Sequence, residues 1–87
     1  MTPTAASVDT TSSIVVARNT ARRGLVLCNT SFNNISLAFG SNDAVLNSGV
    51  TLLGGASWAM NRYQFTTAEV RAIASAAGSN LAIQEFF

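Results

Sequence analysis

Residues 24–40 carry the pattern that most limits how this chain folds. "GLVLCNT" puts Leu25, Leu27 and Asn29 on one face and Val26, Cys28 and Thr30 on the other. "ISLAFG" sends Ile35, Leu37 and Phe39 inward, with Ser36 and Ala38 outward. Alternation with a period of two is the pattern of half-buried strands. Between the runs, "SFNN" supplies turn chemistry, because asparagine tolerates left-handed backbone and bonds its own main chain. Two alternating runs joined by a short Asn-rich turn predict a β-hairpin.

The flanking segments extend the β reading. "SIVVA" (13–17) is a β-branched run closed by the polar stretch "RNTARR". "VTLL" stops at Gly54-Gly55, which fit a tight turn or a bulge between paired strands. "ASWAMNRYQF" follows, with Trp58 and Met60 on one face. Residues 1–12 are rich in Thr, Ser and Ala and read as an extended arm, most simply ordered by lying on a partner. Residues 66–78 admit two structures. Thr66 with Glu69 forms a capping box, Val70, Ile73, Ala74 and Ala77 share a stripe, and Gly78 suits the end of a helix. The rival is a hairpin of "VRAIASA" and "LAIQEFF" turned at "AGSN"; local physics favours the helix, and residues 81–87 read as a strand in either case.

An 87-residue chain forms one domain and buries about 60% of its unfolded surface, which leaves a marginal core. One cysteine excludes an internal disulfide, and the absence of histidine excludes Cys/His zinc sites. Oligomerisation is the remaining way to gain stability. Composition agrees: 10% of residues are charged, where about 25% is usual, and net charge is +1. All five basic residues are arginine, the cation that interface cores retain.

The inventory also speaks against an enzyme. No histidine means no Ser-His or Cys-His pair, and no lysine means no Ser-Lys dyad, Schiff base or Walker lysine. Glu69 and Glu85 stand on separate segments, with nothing that marks them as a glycosidase pair. Cys28 lies about 16 Å along an extended strand from Arg23, so it reads as a small hydrophobe and not as an activated thiol. No cofactor or metal is expected. Arg18, Arg22 and Arg23, with Phe32, Trp58 and Phe86, offer cations and stacking rings, yet the charge balance is far from a nucleic-acid footprint. The arginines read instead as contacts to a partner. The start of the chain shows no secretion signal, no apolar run reaches bilayer length, and cytoplasmic synthesis is the expectation. Trp58 and Phe65 read as core, whereas the terminal Phe86-Phe87 is a sticky patch that a neighbouring subunit would cover. Trp58 with Tyr63 also composes a sugar platform, which makes a carbohydrate-binding or host-adhesion module the alternative function.

Four phrases in order, "ARRGLVLCNTS", "ISLAFG", "LNSGVTLLGGASWAM" and "VRAIASAAGSNLAIQEF", make the chain resemble a family of small tailed-phage virion proteins over residues 13–86. The resemblance implies β-sandwich or barrel units that decorate, cement or project from a capsid, with tails and fibres as other locations. It also implies that "VRAIASA" is a strand paired with "LAIQEFF", against the helix. The expectation is therefore an all-β protein: a small antiparallel sandwich or barrel, jelly-roll-like, of about six short strands over 13–87 behind an N-terminal arm at 1–12. Its expected role is that of a non-enzymatic capsid decoration or cement subunit in the virion. Its partners would be the major capsid protein and copies of itself, a trimer among the candidates, with no nucleic acid and no membrane. Arg18, Arg22, Arg23, Trp58, Arg62, Phe86 and Phe87 are the expected partner contacts.

Overall fold

The structure, a computed structural model, describes residues 3–61 and 64–87. Eight strands follow in order: β1 (Thr4–Val8), β2 (Ser13–Val16), β3 (Gly24–Asn29), β4 (Ile35–Phe39), β5 (Val50–Leu52), β6 (Ser57–Ala59), β7 (Val70–Ala74) and β8 (Ser79–Phe86). All pairings are antiparallel, and β1 pairs with β8, β2 with β7, β3 with β6 and β4 with β5. The chain is thus a long double ribbon folded back at the β4–β5 loop. Rolling that ribbon brings β8 against β3 and β7 against β4, giving two four-stranded sheets, β1-β8-β3-β6 and β2-β7-β4-β5. This is the strand order of a jelly roll. The core lies between the sheets, with Val8, Leu25, Leu27, Leu81 and Ile83 from the first meeting Ile35, Leu37, Leu52 and Val70 from the second.

The all-β expectation holds, with eight strands in place of about six. The strand outside the expected set is β1, which falls in the segment expected as an arm; β5 and β6, in the runs expected as strands, are edge pieces of three residues each. That segment is extended, and it lies on this chain's own β8. Val8 is fully buried, while the Asp9 carbonyl accepts from Ala74 N (2.8 Å) and its carboxylate from Gly78 N (3.1 Å).

The expected β3–β4 hairpin is replaced by an arch. Both segments are strands, but residues 30–34 carry the chain from one sheet to the other. The cause is Asn29, which is fully buried. Its Nδ2 donates to the carbonyls of Asn33 (2.6 Å) and Leu52 (2.8 Å), and its Oδ1 accepts from Ser31 N (3.0 Å) and Ser31 Oγ (2.6 Å). Those bonds use both donors and both acceptor sites of the carboxamide, and they tie the bend to the far sheet. Gly54-Gly55 likewise turns the chain between sheets, so the strands it joins are not paired with each other. A Cβ at Gly54 would lie 2.9 Å from the Ser31 carbonyl oxygen, so the two bends pack together only with glycine there.

Residues 70–74 form a strand, not a helix, which agrees with the resemblance and overturns the local preference. Both ends of the capping box are engaged elsewhere: Thr66 Oγ1 accepts from Ala68 N (3.1 Å), and Glu69 bonds Arg71 (2.8 Å). The pairing with residues 81–87 does not occur, because β7 lies between β2 and β4 while β8 lies between β1 and β3. Phe65, expected in the core, is 47% exposed. Ser36 faces outward as alternation predicts, yet it is buried where the 41–49 loop crosses it. Its Oγ accepts from Asn47 N (2.8 Å) and pairs with Thr51 Oγ1 (3.0 Å).

Asn29→Asp removes both donors and turns a buried carboxylate toward two carbonyl oxygens. Urea unfolding should show a loss of about 3 kcal/mol or more, exceeding that of Asn29→Ala at about 2 kcal/mol. Equal losses would mean that the carboxamide does not direct the arch.

Candidate assembly surface

The crossing from β2 to β3 delivers three of the expected contact residues to one end of the sandwich. Asn19 shapes it: its Oδ1 accepts from Ala21 N (3.0 Å) and its carbonyl from Arg22 N (3.1 Å), while its own N donates to Thr67 O (2.9 Å). This tight turn points Arg22 into the protein, where its side chain has no exposed surface. Nε donates to Glu85 Oε2 (2.6 Å), Nη1 to the carbonyls of Thr66 (3.1 Å) and Ala68 (2.8 Å), and Nη2 to that of Ala17 (2.8 Å). Arg22 is therefore not a contact offered to a partner; its donors are engaged inside the chain. Its neighbours Arg18 and Arg23 are exposed.

The terminal aromatics diverge because β8 alternates. Phe86 lies on the outer face of its sheet opposite Gly24, where a Cβ on the glycine would meet the ring at 3.5 Å. Arg23 N donates to the Phe86 carbonyl (2.6 Å), which fixes the end of the strand. Phe87 borders a groove of about 380 Å³ between the outer strands β1 and β2, with Thr4, Val15, Val16, Ile83 and Glu85. Phe86 is 41% exposed and Phe87 56%. Arg18 borders a separate hollow of about 300 Å³ with Thr66 and Glu69.

Trp58 belongs to the other flank. It lies opposite Leu27 on β6, and its ring meets that of Phe39 from the facing sheet at 4.7 Å between centroids and 39° between planes. It is half-buried and helps close the sandwich, as the core reading expected. Arg62 and Tyr63 lie outside the described residues. The structure thus brings Arg18, Arg23, Phe86 and Phe87 to one end and leaves Trp58 apart.

Two exposed apolar features lie outside the expected partner contacts. Ile14, on outer strand β2, is 54% exposed on the outer face of its sheet, opposite Arg71. Phe32, at the tip of the β3–β4 arch, stands fully in solvent, and Leu53 in the neighbouring bend is 60% exposed. Its place in "SFNN" marked Phe32 as a turn residue, but exposure follows from the arch, which a local reading does not show.

Cys28 sits half-buried on the outer face of its sheet, between Ala82 and Ser57. Among the described residues no three side chains of metal-ligating type converge. On the other sheet, Arg71 bonds Glu69 and Asp43 (2.8 and 2.9 Å). The Glu69 hydrogen bond foremost raises its pKa, so the guanidinium stays charged. Comparison with protein families, with curated proteins and with solved structures gives no match to this chain.

Arg22→Met keeps the length of the side chain and removes every donor, leaving Glu85 and three carbonyls without their partner. Denaturant unfolding should show a loss of about 3–5 kcal/mol, the range for breaking a buried pair. Arg22→Lys should recover only part of it, since one ammonium cannot span the same four acceptors. Full recovery by lysine would assign the effect to charge alone.

Proposed function

We propose that this chain is a non-enzymatic structural subunit of a tailed-phage virion, a decoration or cement protein held on the outside of the capsid as a homo-oligomer. The observation that carries this reading is the exposed Phe87 at the groove between the outer strands β1 and β2, with Phe86 exposed beside it at the end of β8. This surface combines exposed apolar side chains with unpaired strand edges, in a chain of unusually low charge. Aromatic side chains at such a surface are the usual anchors of protein interfaces, and arginine at its margin suits the polar rim. The missing histidine and lysine support a subunit over a catalyst. The resemblance of its sequence phrases to those of small virion proteins suggests the particle. Jelly rolls occur in capsids and also in sugar-binding domains, so the fold by itself does not choose between them.

Purified virions from a phage encoding this chain should contain it in many copies, and particles made without it should take up the added protein. Phe87→Asp, at an exposed position, should lower that uptake about tenfold or more while leaving the thermal unfolding midpoint in place. Virions that lack the chain, or uptake unchanged by Phe87→Asp, would remove this surface from the capsid reading. Particle binding that is unaffected while Trp58→Ala abolishes glycan binding would favour the adhesion module.

A further inference from the structure

Four strands end the two sheets: β1 and β6 in one, β2 and β5 in the other. An outer strand presents unpaired backbone N–H and C=O groups, and proteins normally shield it with a bulge, a charge, a proline or short length. Three of the four are shielded here. β2 has an irregular register between Ile14 and Val16, and β5 and β6 have three residues each. β1 is different. Thr4–Val8 is five residues long, pairs with β8 in unbroken register, and holds neither a charge nor a proline.

We infer that β1 is the self-association edge of this protein, pairing antiparallel with β1 of a second copy about a two-fold axis. The inference rests on the oligomeric part of the function proposed above and names its interface. In an antiparallel strand alternate residues turn their N–H and C=O groups away from the existing neighbour, so the chemistry of the edge calls for another strand. A second β1 fits it throughout. Centring the axis on Ala6 sets Thr4 opposite Val8, Ala5 opposite Ser7 and Ala6 opposite its own copy, so all five residues pair with no charges opposed. Ala5 and Ser7 point to the outer face with Ala82 and Asn80 and are exposed, and their small size lets the strands approach. The joined sheet has eight strands, and the two-fold axis closes the assembly instead of propagating it. Thr4 also borders the groove that holds Phe87, so this edge is continuous with the exposed aromatic.

Sedimentation of the full chain over a range of concentrations tests the inference. The wild type should form a dimer; Ala5→Lys with Ser7→Lys should be monomeric, because lysines then oppose each other across the axis. Ala5→Lys with Ser7→Glu sets lysine against glutamate and should restore the dimer. Thermal unfolding of each variant checks folding, and amide exchange of wild-type β1 gives a second readout, with protection expected to rise with protein concentration. A doubly lysine-substituted chain that still associates refutes the β1 edge and leaves the structural-subunit reading standing. Wild-type protein that stays monomeric, with β1 exchange independent of concentration, refutes both the edge and self-assembly in solution. A wild-type trimer or an open filament likewise overturns the two-fold edge.

Discussion

The fold turns on the guanidinium of Arg22. Six of the seven connections in this chain cross between sheets, and a sandwich so connected must keep its crossings in register at each end. At one end a single side chain, Arg22, links several of them, reaching Ala17 in its own crossing, Thr66 and Ala68 in the β6–β7 crossing and Glu85 on β8. Removing a charged group from water costs several kcal/mol, so the net stabilisation is far smaller than the sum of its bonds. What the interaction does enforce is uniqueness. Few other arrangements of these segments give a buried guanidinium four oxygen acceptors, and a slipped crossing would leave it unsatisfied.

Asn29 performs the matching task at the opposite end with a neutral side chain. Its carboxamide ties the β3–β4 arch to the end of β5, and its main chain bonds Gly55 and Ala56 in the adjacent bend. Two buried polar side chains thus define the two ends, while aliphatic residues fill the space between. A core this small relies on such groups for its geometry, since Leu, Ile, Val and Ala pack in many ways that differ little in energy.

The division between what could and could not be read from the sequence follows from this. Alternation in 24–29 and 35–39 identified strands and their inward faces, because period two has one structural meaning. It could not separate a hairpin from an arch: the same inward pattern serves a strand whichever sheet it joins. The asparagines of "SFNN" were legible as a bend, but the Leu52 carbonyl that directs it lies 23 positions away. Arg22 shows the same limit more sharply. Among three neighbouring arginines nothing local distinguishes the buried one, whose carboxylate partner is 63 residues distant. Thr66 and Glu69 misled for a related reason, since a capping box becomes a helix only where its backbone is not claimed by something else. Of the proposed contact surface, the terminal aromatics were legible because two consecutive rings at the end of a strand cannot both face a core.

The pairing of β1 with β8 also sets a timetable. During synthesis the first strand to appear has no neighbour in its sheet until residues 79–83 have been made. β3, which can pair with β6 earlier, lacks its second neighbour until residues 81–86 follow. No shorter nascent chain can complete the first sheet, so its apolar strands remain uncovered until nearly the whole sequence has emerged. Folding is therefore a late, all-at-once closure led by distant contacts, slower than that of helical chains of equal length. β8 is the clasp: it arrives last, fills the position between β1 and β3, and brings Glu85 to the waiting arginine.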